Sequence, residues 1–576
     1  MPHVITQACC ADASCVYACP VNCIHPTPDE ADFATAEMLY IDPLSCVDCG
    51  ACVSACPVGA IKRDTRLSPE EQPFLDINAA FYSPPREYPP QARLERALGN
   101  NSGQMHVAIV GSGPAAMYTA DALLERPGVY VTVIERLPVP HGLVRHGVAP
   151  DHPETKTIQS LFAQIERDPR MRYLLGVDVG TDVSHDEVAA HFDAVVYATG
   201  ASGERRLDIP GQELSHTATE LVAWYNGHPD YTDRQFDLSG ERAVIIGNGN
   251  VALDVARVLT GEPEDLARTD IADHALEALR ASRIREVTVL ARRGVGQSAF
   301  TLPEITGLIS RHSAGIYADG AGLDDYTARL YQQDELDMAV RGKIDAVASL
   351  SRPPSDGREP RIVFRFCGSP VEIAATSSSS GEAAVEGVRI AANRLVRSDG
   401  HVRAQTTGET HWLPAGLVLT SVGYHGTPVP GLPFADGTIP NDAGRVESMP
   451  GVYVVGWIKR GPTGFIGTNK SCARETVESM MADANANRWA RPAGSAADFE
   501  NLVRRRGARV LHLDQWRRLD WLERQWGRAS GRPRRKLTDR SQIYGLWNAP
   551  DSETNYDAAP PRSRLEVDQR PAIAEG

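Results

Sequence analysis

The sequence predicts an α/β protein with a small α+β domain at its front, and three observations predict it. Nine of the 11 cysteines lie within the first 56 of 576 residues. An apolar stretch at 106–110 runs into Gly111-Ser-Gly113-Pro-Ala-Ala116 and a helix-like segment ending at Leu124. The same order returns at 243–246, where Gly247-Asn-Gly-Asn-Val-Ala252 opens a segment ending at Leu259. Strand, glycine turn and helix in that order open a parallel α/β unit.

Composition bounds the rest. At about 100–200 residues per domain the chain holds roughly three to five domains. Apolar residues make up 42% and charged residues 23%, a globular balance that excludes wholesale disorder and fibrous architecture. The net charge of −15 repels nucleic acid and anionic membrane over most of the surface. No apolar run reaches the ~20 residues of a bilayer span, and the first residues lack the basic-then-apolar pattern of a signal peptide. A cytoplasmic monomer is expected, with no nucleic-acid partner and no membrane span.

The cysteines repeat. Cys9, Cys15 and Cys19 map onto Cys46, Cys52 and Cys56 at an offset of 37 residues, and Pro20-Val21 map onto Pro57-Val58. Dense cysteine in a chain with no route to an oxidising compartment reads as metal-binding. The second copy, Cys46-x2-Cys49-x2-Cys52-x3-Cys56-Pro57, resembles the bacterial two-cluster ferredoxin motif. In that motif three cysteines hold one iron–sulfur cluster and the fourth ligates the other. The resemblance assigns Cys19, Cys46, Cys49 and Cys52 to one [4Fe-4S] cluster and Cys9, Cys15 and Cys56 to a second. In the first copy Asp12 stands where the second has Cys49. A carboxylate is a harder, weaker ligand for cluster iron than a thiolate, so this site should hold a [3Fe-4S] cluster or a [4Fe-4S] cluster with one labile corner. Cys10 competes with Cys9 but is out of register, and Cys23, aligned with Ala60, reads as a small buried residue.

The ferredoxin domain is placed at 1–66. Residues 67–103 hold six prolines and end in Gly99-Asn-Asn-Ser-Gly103, the composition of a linker. In the first α/β fold, Gly111, Gly113 and Ala116 let backbone amides approach a pyrophosphate at a helix N-terminus. The next strand ends on Glu135, 22 residues after Gly113, where an acid suits a ribose 2′-hydroxyl. In the second fold the corresponding strand, 287–290, runs into Ala291-Arg292-Arg293. Two guanidinium groups suit an adenosine 2′-phosphate. One fold is thus suited to a flavin dinucleotide or NAD, the other to NADP.

At this point the chain from about 104 to 545 resembles the adrenodoxin reductase family of FAD-dependent NADPH–ferredoxin reductases. The matching stretches are Val110 to Ala116, Gly142-Leu-Val-Arg145, Gly147 to His152, Gly249-Asn-Val-Ala-Leu-Asp254 and Gly456-Trp-Ile-Lys-Arg-Gly-Pro-Thr-Gly464. With the cysteine domain in front, the whole is similar to bacterial ferredoxin/ferredoxin–NADP reductase fusions. The resemblance implies FAD contacts at Ala115, Glu135, Leu143, Val179, Trp457, Gly464, Phe465 and Ile466. It implies NADP contacts at Asn248, Gly249, Asn250, Val251, Arg292, Arg293 and Glu304, and catalytic roles for His152 and Asp254. Some relatives carry a second acid three residues after Glu304; here that residue is Gly307.

The implied layout is an FAD domain in two parts, 104–204 and 416–490, with the NADP domain inserted at 205–415. Ala194 to Gly200 is read as the strand returning to FAD before the insertion, and Leu417 to Gly423 as its counterpart after it. Residues 504–540 carry 13 Lys and Arg against four Asp and Glu, with Trp516, Trp521 and Trp526 interleaved. This suggests nucleic-acid binding, but the resemblance favours a packed extension over 491–548, followed by a disordered tail at 549–576. The function implied is NADPH-dependent reduction of an electron-acceptor protein, a ferredoxin or a cytochrome P450 system, through FAD and iron–sulfur clusters. The rivals are an electron-input subunit of the glutamate synthase type and an iron–sulfur redox sensor.

Overall fold

The computed structural model describes residues 2–83, 104–320, 322–354, 360–377, 383–489 and 491–547. The tail call at 549–576 and the later part of the linker call fall outside them.

The 37-residue offset is built into the front domain as a pseudo-twofold. Helix Ser14–Ala18 repeats as Ala51–Ala55, and the residue before each, Ala13 and Gly50, is left-handed. The repeats then exchange strands. His3–Ile5 pairs antiparallel with Ile61–Arg63, and Ile24–His25 pairs with Tyr40–Ile41.

The linker call over 67–83 is corrected here. Pro69 and Pro73 open a 3-10 turn, Pro69–Glu71, and a helix, Pro73–Phe81, since proline at the first helical position loses no intrahelical bond. Phe74 and Phe81 are buried. The buried Asn78 side chain accepts from the amides of Ile5 and Ile41, one in each repeat, and donates to the Ile5 carbonyl. Residues 67–83 therefore belong to the cysteine domain.

Behind it stand two parallel sheets. In the first, Val452–Val454, Ala194–Tyr197, Met105–Val110, Val129–Glu135 and Met171–Leu175 run side by side, extended antiparallel at one edge by Arg445–Val446 and Asn441–Asp442. The second orders His216–Thr217, Leu417–Thr420, Arg242–Ile246, Glu286–Leu290, Arg361–Arg365 and Gly315–Ala318, all parallel. Strand Leu417–Thr420 thus sits beside the second glycine strand and not in the first sheet, which corrects the boundary at 416. It is the second fold's own equivalent of Ala194–Tyr197. The chain crosses between folds at a ribbon of Gly203–Glu204 with Tyr424–His425, and Val452–Val454 joins the first sheet instead. Three antiparallel strands, Gly368–Ser377, Ala383–Ser398 and His401–Pro414, form a separate sheet.

The basic C-terminal region is packed. Glu523, fully buried, accepts both guanidinium nitrogens of Arg145 at 2.6 and 2.9 Å and a third bond from Arg534 at 2.6 Å. Arg145 also lies over the ring of the buried Trp516. Two cations around one carboxylate offset the cost of burying all three. No described helix is long and apolar enough to cross a membrane.

Candidate functional site

Each glycine turn meets its fold as the sequence implies. Gly111 has φ +103, and a Cβ there would lie 2.5 Å from the Ala198 carbonyl oxygen. Only glycine lets the chain turn that close to the neighbouring strand. Gly113, at the mouth of helix Pro114–Leu124, faces open space, as backbone approach to a phosphate needs. Glu135 ends its strand across this turn. Its carboxylate accepts from the Ser112 amide and hydroxyl at 3.0 and 2.7 Å and from the Leu137 amide at 2.9 Å. Burial raises its pKa, against the pull of those donors. Ala116 is fully buried in the helix–sheet core, and Ala115 lies under Gly456, whose Cβ would meet it at 2.6 Å. Trp457 follows, stacked on Tyr424 at 6.2 Å, its Nε1 donating to the Thr463 carbonyl. Leu143 is half exposed. Val179 bridges to Val183, two residues beyond Val177, whose amide donates to the Glu135 carbonyl. A tight glycine turn with a buried acid across it and open space at Gly113 fits FAD.

In the second fold, Gly249 leads into helix Asn250–Thr260. Asn248 Nδ2 donates to Ser298 Oγ at 2.9 Å, and Asn250 Oδ1 accepts from the Thr301 amide at 2.8 Å. These bonds tie the glycine turn to the loop before helix Leu302–Arg311, and Val251 lies on the first turn between them. Arg292 is exposed and Arg293 half-buried. Burial and the neighbouring Arg292 charge both lower the pKa of Arg293. Two adjacent cations at a strand end fit a phosphate.

Between the folds, His152 Nε2 lies 3.9 Å from Asp254 Oδ1, and both gather with the Glu304 carboxylate within 4.8 Å. Arg257 bridges the group, donating to Asp254 at 2.7 Å and to Asp151 at 2.5 and 3.0 Å. Burial would raise the Asp151 pKa, but Arg257 holds it at about 2.

The cysteines divide into two sets. Cys19, Cys46, Cys49 and Cys52 line one cavity. Cys9, Cys15 and Cys56 interact electrostatically with one another and with Asp12. Burial pushes the Cys9 thiol up to about 12 and Cys52 to about 11, and raises Cys15 and Cys56 as well. Thiols so desolvated ionise against a positive centre, and cluster iron is such a centre, so the donor sets fit. Cys15 also senses Cys52, so the sets are neighbours. Cys10 packs into the flavin-side core with Met117 and Tyr118.

The sequence reading took Cys23 as a small buried residue, which it is, and gave Gln7, Arg460 and Lys470 no role. Cys23 lines the cavity of Cys19, Cys46, Cys49 and Cys52, its Sγ 3.4 Å from Cys19 Sγ; that bond is the largest influence holding Cys19 at about 5. Lys470 Nζ donates to Ser14 Oγ at 2.7 Å and lies 3.4 Å from Asp12 Oδ2. Asp12 also accepts from the Ser14 amide and hydroxyl. Arg460 donates to Thr468 and Asn469 while its buried Nη1 has no protein partner. Gln7 reaches Glu304. The repeat could have flagged Cys23 as an extra thiol; Arg460 lies within the matching stretch Gly456 to Gly464, and Gln7 and Lys470 act through long-range contacts.

Comparison with known proteins shows the family. Residues 105–301 match the family described as pyridine nucleotide-disulphide oxidoreductase, and residues 39–62 match the 4Fe-4S binding domain. The chain is 48% identical to a probable ferredoxin/ferredoxin–NADP reductase of Mycobacterium tuberculosis, over 96% of each chain. It is 40% identical to the mitochondrial NADPH:adrenodoxin oxidoreductase of Homo sapiens, over 76% of this chain and 91% of that one. Among solved structures, M. tuberculosis FprA in complex with NADPH superposes with a TM-score of 0.71 at 42% identity, covering 77% of this chain and 99% of that one.

Proposed function

The chain belongs to the ferredoxin/ferredoxin–NADP reductase family, and from that premise we propose the route its electrons take. The protein is an FAD-dependent NADPH–ferredoxin reductase with a fused iron–sulfur domain. Bound FAD accepts a two-electron hydride and releases electrons singly, which is the chemistry the cofactor supplies. The chain's own residues position it. Glu135 holds the adenosine ribose, the turn Gly111–Ala116 the pyrophosphate, and the loop Gly464–Ile466 the ring end. Arg292 and Arg293 select NADPH by its 2′-phosphate. His152 and Asp254 stand between the folds, where the nicotinamide must meet the flavin.

The observation that carries the route is the contact of Gly467 with the first cysteine loop. Its amide donates to the Cys10 carbonyl at 2.7 Å, and a Cβ there would overlap the Asp12 backbone. The loop assigned to FAD therefore abuts the Asp12 set, so a cluster held there would be the first on the route. Cys19, Cys46, Cys49 and Cys52 would hold a [4Fe-4S] cluster as the second set on the route. Asp12 with Cys9, Cys15 and Cys56 holds a [3Fe-4S] cluster or a labile [4Fe-4S] one. Cys49 is exposed, and of six large apolar side chains exposed among the described residues, four (Val21, Leu44, Val47 and Val53) belong to the loops and helix that carry the second set. An acceptor protein meets this face.

The test compares the whole chain with one lacking residues 2–83. NADPH-driven ferricyanide reduction should survive the deletion, and reduction of an iron–sulfur acceptor protein should fall to background. Undiminished reduction of that protein would mean that the flavoprotein delivers electrons directly.

A further inference from the structure

The cysteine domain touches the second nucleotide fold at a polar side chain that the electron route does not use. Gln7 Nε2 donates to Glu304 Oε2 at 2.8 Å. Glu304 lies in the first turn of helix Leu302–Arg311, with the His152 ring and the Asp254 carboxylate on its other side. One turn further along the same helix face is Gly307. A Cβ at 307 would overlap the Gln7 amide, so the bare helix surface is the seat into which Gln7 fits. The seat is clamped on both sides. Glu37 accepts from the Leu302 amide at 2.6 Å and from Lys343 at 2.9 Å, and Arg311 donates to Glu71 at 3.3 Å. Glu37 and Glu71 both come from the cysteine domain.

We propose that Gln7 is a positioning residue for NADPH, lent by the cysteine domain to hold Glu304 in the orientation in which it meets the nucleotide. This rests on the reading of Glu304 as an NADP contact. An amide suits the task. It occupies one carboxylate oxygen without neutralising the charge, which also acts on Arg257, and it leaves the other oxygen for the ligand. Residues 5–7 connect directly to Cys9, so the segment that anchors the first cysteine set also completes the nucleotide site. NADPH then binds more tightly when the cysteine domain is docked, which links the entry of reducing equivalents to the presence of their exit.

The test is steady-state NADPH oxidation by the full-length holoenzyme with ferricyanide, which bypasses the clusters. Gln7→Ala and Gln7→Leu should each raise KM for NADPH by about five- to tenfold, less than the full loss of a hydrogen bond to a charged group because Gln7 acts through Glu304. Bound FAD and cluster absorbance should stay at parent level, and Gln7→Leu keeps the side-chain bulk. Adding Gly307→Gln to Gln7→Ala should restore KM to within about twofold, because residues three apart share a helix face. An unchanged KM in both Gln7 variants, with a raised KM in Glu304→Ala, would overturn the role of Gln7 alone. If Glu304→Ala also leaves KM unchanged, the NADPH assignment of Glu304 falls with it. A defect in Gln7→Ala that Gly307→Gln leaves in place would place the role of Gln7 elsewhere than on Glu304.

Discussion

The amide of Gly467 donates to the carbonyl of Cys10 at 2.7 Å, joining residues 457 positions apart. This bond sets the flavin-side loop against the first cysteine loop, and Lys470, one helical turn on, reaches Ser14 and Asp12 on the same loop. A side chain at 467 would overlap backbone atoms of Asp12, so the two loops meet at van der Waals distance only because that residue is glycine. A self-contained electron-transfer chain needs short spacing between redox groups, and on the proposed route this glycine would provide it.

Glu135 tests the flavin end. It is buried and accepts three hydrogen bonds from the glycine turn and the following loop. Glu135→Ala should weaken FAD by about 1.5–3 kcal/mol, the usual range for a hydrogen bond to a charged group. The check is FAD retained after gel filtration, with the iron–sulfur spectrum unchanged. Retention equal to the parent would mean that the first fold holds another ligand.

Arg292 and Arg293 test the choice of nucleotide. Each alanine substitution should weaken NADPH by about 1–3 kcal/mol and NADH much less, read as KM for the two nucleotides. Equal losses would remove the 2′-phosphate assignment.

Asp12 tests the first cysteine set. Thiolate binds cluster iron better than carboxylate, so Asp12→Cys should favour a stable second [4Fe-4S] cluster. Electron paramagnetic resonance after brief exposure to air should show a three-iron signal in the parent and little of it in the variant. The same air-stable four-iron clusters in both would place Asp12 away from any cluster corner. Its bonds to Ser14 and its approach to Lys470 would then be its whole role.

His312 tests the buried charge network in the second fold. Burial first, and then the Arg257 charge, hold it at about 4, below the ordinary value of about 6.5. A folded histidine that stays neutral while the unfolded chain takes up a proton contributes stability in full above about pH 6.5, and that contribution is lost as pH falls towards 4. His312→Gln retains a partner for Thr260, which lies 2.7 Å from His312 Nε2. Between pH 7 and 4 the parent should lose up to about 3 kcal/mol more than the variant. Thermal midpoints across that range report it, and parallel curves would contradict it.

Much of the fold was legible because its signals are local. The glycine turns, Glu135 and the arginine pair declare themselves within one βαβ unit, and the 37-residue offset extends beyond the cysteines to helices, caps and strands. The misreadings share a cause. Pro69 and Pro73 have the composition of a linker, and only the burial of Phe74, Asn78 and Phe81 against the repeats makes that segment part of the domain. Leu417–Thr420 has the same pattern as Ala194–Tyr197, and only its partner strand shows which sheet it joins. Gln7 and Lys470 make contacts for which the local sequence has no periodicity. Gly307, noted in the sequence as a departure from the family, gains its explanation only once Gln7 is seen beside it.

The central claim is that electrons leave the flavin side through the junction of Gly467 with the Cys9–Cys15 loop. Rapid mixing of Gly467→Ala with NADPH under anaerobic conditions tests it most directly, following flavin bleaching optically and cluster reduction by freeze-quench electron paramagnetic resonance. The account predicts flavin reduction at the parent rate and cluster reduction slowed several-fold, because the added methyl must push the Asp12 loop away. Cluster reduction as fast as in the parent, with the methyl in place, would contradict it.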